Sequence, residues 1–194
     1  MTAPKTILGI RNITVSGRIG SGATTLAHGI ARHFGWNLLE GGRLLRKVQK
    51  EIGAGVEQTS KRPDHFDLEY EKKIKTMLKN ESGHVIQSHL AGFDAQGIEG
   101  VFKIFVVCED KDGSDKVDVR IDRLVNRDNI SIEDAKHEVV ERDKQNLEKW
   151  ARLYANSNPS WVYWDRKYYD MIINTYSHNQ RESLRLALQV LENR

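Results

Sequence analysis

Apolar residues alternate between two spacings along this chain, and the alternation predicts strands and helices in turn. Residues 12–16 form a short apolar-leaning run with β-branched side chains, and Gly17 follows at once, so the run reads as a first strand. From Thr24 the apolar positions Leu26, Ile30 and Phe34 recur at helical spacing until Gly35 supplies a stop. A helix therefore opens directly out of a glycine-rich turn. Residues 37–40 make a second candidate strand. Gly41-Gly42 leads into a helix over about 43–52, and a loop follows over 53–59.

Pro63-Asp64 has the character of a helix start, with Phe66, Tyr70, Ile74, Met77 and Leu78 giving an apolar face up to Asn80. Val85–Ser88 and Val101–Cys108 are continuous apolar runs, as strands covered on both faces require. A charged loop over 109–118 precedes an arginine-studded helix over about 119–127. Ser131 followed by Asp134 resembles a cap for another helix running towards Tyr154, which Asn156–Ser160 breaks. Met171–Asn174 is a last strand, and Leu184, Leu188 and Leu191 mark an amphipathic closing helix. Strands alternating with helices point to an α/β fold with a parallel sheet.

Composition narrows the class. The 194 residues suffice for one substantial core, so one domain over 1–194 is expected. With 39% hydrophobic and 29% charged residues, disordered, fibrous and membrane classes are disfavoured. No apolar run is long enough to cross a bilayer, and Met1–Lys5 lacks the apolar core of an export signal, so a cytoplasmic location is expected. The single cysteine, Cys108, lies in a strand-like run and reads as a small core residue. Net charge is only +3, although the arginine-rich second half leaves room for a local basic cluster, which could face nucleic acid or the phosphates of a small ligand. Neither basic and aromatic interleaving nor zinc-ligand spacing is present, so no nucleic-acid partner is expected. Oligomeric state is not legible.

The candidate chemistry lies in Gly17, Arg18, Ile19, Gly20, Ser21, Gly22, Ala23, Thr24 and Thr25. They have the spacing of a Walker A loop with Ala23 where the lysine belongs. Glycines let backbone N–H groups turn around a phosphate, the helix start adds its dipole, and the Thr24 hydroxyl can reach a magnesium ion. The bare pattern is weak, since a glycine turn can serve tight packing alone; its place between a strand and a helix is what points to phosphate. Another cation could supply the lysine's charge, with Arg18 or the later arginines as candidates; if none does, the chain binds nucleotide and catalyses poorly.

Beyond the loop, the chain resembles the cytidylate kinase family, most closely an archaeal branch whose loop also lacks lysine. The resemblance runs from Ile13 to Thr175 as an ordered series of short matches. It implies a three-layer P-loop fold with a monophosphate-binding segment over about 40–80 and lid helices over about 120–155. It also implies ATP and Mg2+ as cofactors, with a small phosphate acceptor. In Gly42-Arg43-Leu44-Leu45-Arg46, Arg46 would grip the acceptor phosphate. Asp67 and Glu71, at i and i+4, match an acidic pair of the acceptor segment, the alternative being two solvated carboxylates on an exposed face. Arg120, Arg123, Arg127 and Arg142 match lid arginines, whose planar forks suit the dispersed charge of phosphoryl transfer; a solvated basic helix face is the alternative. The ending Tyr169–Thr175 is the most recognisable stretch after the loop.

Three departures stand out, one of them the loop over 109–118, which is longer than the short turn usual in the family. The family's Glu-Gly-Arg after the third strand is here Gln87-Ser88-His89, and Lys149 stands at an arginine position. His89 can offer one hydrogen bond at the acceptor site and no bidentate fork, the alternative being an ordinary core or surface histidine. The resemblance implies ATP-dependent phosphorylation of a nucleoside monophosphate, with CMP or dCMP leading. The departures and Ala23 leave a second possibility, a nucleotide-binding sensor or interaction module with weakened catalysis, and a third, a kinase of another small acceptor.

Overall fold

The computed structural model describes residues 4–43 and 63–193. Five strands form one sheet: β1 (Asn12–Gly17), β2 (Asn37–Glu40), β3 (His84–Gln87), β4 (Val101–Val107) and β5 (Met171–Asn174). Their order is β2-β3-β1-β4-β5, and every neighbouring pair is parallel. Parallel pairing demands a crossover between successive strands, and the helices supply it. β1 is central and buried along its whole length: Ile13 and Val15 enter the core on one face, and Asn12, Thr14 and Ser16, on the other, are buried as well.

One face of the sheet is covered by α1 (Ala23–Phe34) and α7 (Gln180–Glu192). Leu26, Ile30 and Phe34 meet Ile13, Val15, Ile104, Val106 and Ile173 there, and Ala187 and Leu191 join the same core. The opposite face is covered by α2 (Asp64–Asn80), the short α3 (Ala91–Asp94) and α6 (Asp143–Tyr154). Ile74 and Leu78 pack with Ile86 and Ala91, and Trp150 and Tyr163 pack with Leu90, Phe105 and Val107. The result is the expected three-layer α/β architecture.

A fourth cluster joins α4 (Val117–Asp128) to α5 (Ile132–Lys136) through Leu124, Ala135 and Val139, with Ile19 of the glycine loop packed against it. The long helix expected towards Tyr154 is continuous but widens into a π-helical segment at His137–Arg142 before α6 begins. Ser131 accepts from the Asp134 N–H and caps α5, as its spacing predicts. Gly35, at φ 69°, ends α1 in the left-handed conformation.

The chain differs from its pattern in a few places. α4 begins at Val117, inside the stretch expected to be loop. The short α3 is too brief for periodicity to reveal. α7 starts with a capping box between Asn179 and Glu182. The helix expected over about 43–52 falls mostly outside the described residues, and Arg46 with it. Cys108 is buried and free, as expected of a core residue.

Candidate active site

The glycine loop leaves the carboxyl end of β1, between β3 and β4, where ligands of open parallel sheets bind. Its shape depends on glycine. A Cβ on Gly17 would sit 2.4 Å from Ser21 Oγ and 3.0 Å from the Val106 carbonyl oxygen. Gly20 and Gly22 have φ of 78° and 96°, which side-chain-bearing residues rarely adopt, and a Cβ on Gly20 would lie 2.5 Å from the Arg120 carbonyl oxygen.

Neighbouring side chains engage the loop carbonyls. Ile19 O accepts from Arg120 Nη1 at 2.7 Å, and Gly20 O and Ser21 O accept from Arg123 Nη1 at 3.4 and 3.3 Å. Ser21 O also accepts from Thr175 Oγ1 at 2.6 Å, and Gly17 O accepts from His89 Nδ1 at 2.8 Å. A trans peptide points its N–H opposite to its carbonyl. Engaging Ile19 O and Ser21 O from outside therefore turns the Gly20 and Gly22 N–H groups the other way, and neither meets a backbone acceptor among the described residues. Gly22 caps α1 without a side-chain hydrogen bond, so the amides of the first turn add to the same donor set. Ser21 contributes backbone only, because its hydroxyl is buried against Gly17. Thr25 is exposed, and Ala23 is buried at the helix start.

Thr24 Oγ1 donates to Gln87 Oε1 at 3.4 Å, bringing a hydroxyl and a carboxamide oxygen together at the ends of α1 and β3. Both are hard oxygen donors of the kind Mg2+ accepts beside water and phosphate, so the pair fits that ion. Gln87 carries no charge, so the pair is a neutral ligand set.

Arg18 turns away from the cradle. Its Nε lies 2.7 Å from Asp143 Oδ2, its Nη1 lies 2.9 Å from Asp115 Oδ2, and its guanidinium stacks 4.6 Å from the Trp164 ring centroid. Burial pulls the guanidinium pKa down, but the two carboxylates outweigh it and hold the group above its ordinary value. Arg120, only 1% exposed, shares the same acids, at 2.8 Å from Asp115 and 3.5 Å from Asp143. Tyr163 OH donates to the other Asp143 oxygen at 3.5 Å. Two arginines and two aspartates thus join the loop to α4 and α6.

The four arginines expected in a lid divide into two pairs. Arg120 and Arg123 point at the loop backbone, and Arg123 also donates to Thr175 Oγ1 and O, each at 2.8 Å. Arg127 is exposed and forks onto the adjacent Asp128 at 2.8 and 2.6 Å. Arg142, in the π-helical segment, pairs with Glu138 one turn earlier. A uniformly solvated basic face does not describe this helix, because Arg120 is enclosed.

Of the residues expected at the acceptor, Asp67 and Glu71 are buried, which corrects the alternative of two solvated carboxylates. Asp67 Oδ2 lies 2.5 Å from Lys149 Nζ, itself buried. Glu71 sits beside Tyr154 and Asp94, and burial first, then the Asp94 charge, push its carboxyl up to about 8. Asp94 is pushed up to about 6 by burial, against the pull of Lys75 at 3.2 Å. The Gly17 carbonyl can only accept, so His89 Nδ1 carries the proton; burial lowers the pKa of the ring, against the pull of Asp143, and favours the neutral form. The ring packs against Trp150 and Tyr163. His89 therefore braces the loop.

Pattern reasoning passed over Asp115, Asp143 and Thr175 as site residues. Thr175 directly follows the carboxyl end of β5, so strand topology could have flagged it. The aspartates offer no comparable signal: Arg18 lies 97 positions from Asp115 and 125 from Asp143, and Asp115 is close along the chain to Arg120 alone.

The cytidylate kinase-like family model matches residues 12–177. A cytidylate kinase of Thermococcus sibiricus is 31% identical over 166 residues, covering 84% of this chain and 79% of the relative. One of Methanopyrus kandleri is 27% identical over 192 residues, covering 93% and 92%. Among solved structures, a protein of Eubacterium ventriosum superposes with a TM-score of 0.67 at 16% identity, covering 95% of this chain and 99% of that one. A shikimate kinase of Acinetobacter baumannii superposes at 0.54 and 17% identity, covering 95% and 92%, which speaks to fold alone.

Proposed function

The chain belongs to the cytidylate kinase-like family, and from that premise we propose that it transfers the γ-phosphoryl group of ATP to CMP or dCMP, with Mg2+. The observation that carries this reading is the loop with its carbonyls engaged from outside and its Gly20 and Gly22 amides turned inward. Those amides and the first turn of α1 bind the donor phosphates without an ammonium group. Thr24 and Gln87 hold the metal, which when bound neutralises charge on the phosphate oxygens. Arg127 and Arg142 exchange Asp128 and Glu138 for the transferred group as the lid closes and water leaves. Arg46, Asp67, Glu71 and the segment over about 40–80 form the acceptor site, with His89 shaping its floor through Gly17. Arg120 and Arg123 act one step back, through the loop.

A second reading is favoured by Ala23, by the neutral Gln87 and by His89, whose single donor is already committed to Gly17. In it the chain binds nucleotide as a sensor or interaction module and catalyses poorly. ADP release measured across a panel of nucleoside monophosphates and small acceptor alcohols separates the readings. Turnover highest with CMP or dCMP supports the first; turnover with a different acceptor reassigns the substrate. ATP binding with no turnover on any acceptor supports the module.

A further inference from the structure

Three arginines, Arg18 within and Arg120 and Arg123 against it, attend a loop that lacks its own lysine, and their charges are not equally available. Arg18 and Arg120 face Asp115 and Asp143, so these two cations and two carboxylates balance. Arg123 lies one turn along α4 from Arg120. Its contacts are Thr175 Oγ1 and O at 2.8 Å, Ser21 O at 3.3 Å, Gly20 O at 3.4 Å and Cys108 Sγ at 3.5 Å. All are neutral, and among the described residues no carboxylate pairs with it.

We propose that Arg123 is a positioning residue that replaces the missing Walker lysine from outside the loop. It fixes the Ser21 carbonyl outward together with Thr175, which aims the Gly22 N–H at the anion, and its unbalanced charge makes the cradle positive. An ammonium group inside the loop would reach a phosphate directly, whereas this guanidinium acts through the peptides it polarises. The inference rests on the reading that the loop holds nucleotide phosphates. It singles out one of the later arginines that the sequence left as equal candidates for that cation.

The test is calorimetric binding of ATP and of inorganic pyrophosphate, each with and without Mg2+, to the wild-type chain, Arg123→Ala, Arg123→Lys, Ala23→Lys and the double variant Arg123→Ala/Ala23→Lys. Arg123→Ala should weaken both ligands by roughly tenfold or more, the size of a charge-assisted hydrogen bond. Arg123→Lys should recover part of the loss, and adding Ala23→Lys to Arg123→Ala should recover most of it. Loss for ATP with pyrophosphate unchanged would assign Arg123 to the base or sugar and overturn the proposal. So would a double variant that melts like the wild type without regaining affinity. Should that double variant not fold, the ionic-strength dependence of pyrophosphate binding decides: a shallower slope in Arg123→Ala supports the proposal, and an unchanged slope refutes it. A wild-type chain that binds neither ligand removes the nucleotide reading itself and this inference with it. Binding unaffected by Arg123→Ala removes this inference alone.

Discussion

His89 Nδ1 donates to the carbonyl of Gly17 at 2.8 Å, tying the residue two places beyond β3 to the last residue of β1. The bond spans 72 positions of the chain, and it secures the peptide from which the loop departs. His89→Ala leaves a buried acceptor unpaired, so ATP affinity and stability should both fall, stability by about 1–3 kcal/mol. Asparagine, which can still donate, should retain more of each; calorimetric binding and thermal melts of the two variants check this.

The same histidine predicts a pH effect. Its folded pKa is depressed below the ordinary 6.5 by burial, so above 6.5 both states are neutral and no penalty exists. As pH falls below that value the unfolded chain takes up the proton first, and stability declines towards the depressed folded value. Melting midpoints from pH 7.5 down to pH 5 should fall more steeply in the wild type than in His89→Asn.

Glu71 should act in the opposite direction. Its folded pKa is raised from 4.5 to about 8, so the folded state holds the proton across that interval. Its contribution is full below 4.5 and is lost as pH rises through about 8. Glu71→Gln removes that loss, and its melting midpoint should exceed the wild type's by a few degrees at pH 8.5, on the order of 1 kcal/mol, with little difference at pH 4.5.

Gly20→Ala tests the loop geometry itself. The added Cβ meets the Arg120 carbonyl at 2.5 Å and the backbone sits at φ 78°, so the loop must move or strain. A destabilisation above about 1 kcal/mol is expected, with ATP affinity reduced together with it. Alanine at Gly113 shares the positive φ but meets nothing within 4 Å; it should cost stability and leave ATP affinity unchanged.

On the proposed function, Arg127 and Arg142 meet the phosphoryl group mainly in the transition state. Arg127→Ala and Arg142→Ala should lower kcat by tenfold or more on the proposed acceptor, roughly the weight of one charge-assisted contact, while ATP affinity changes little. Steady-state kinetics beside calorimetric ATP binding measure the split. Equal loss of both would place these residues in ground-state binding.

What the sequence by itself determined is whatever depends on neighbours close along the chain. Strand and helix periods, the Gly35 stop, the Ser131 cap and the strand-loop-helix setting of residues 17–25 are all local patterns, and the structure reproduces them. The α/β class followed from their alternation. Tertiary structure decided which charges neutralise which wherever the partners lie far apart along the chain. Arg18 and Arg123 look alike in the sequence; folding presents Arg18 to Asp143, 125 positions away, and Arg123 to the neutral oxygens of Thr175 and the loop. Folding likewise buries Asp67 and Glu71, which the helical spacing left open to solvent. Periodicity reports which face of an element is apolar, but burial and charge pairing depend on what the crossovers of a parallel sheet bring against that face.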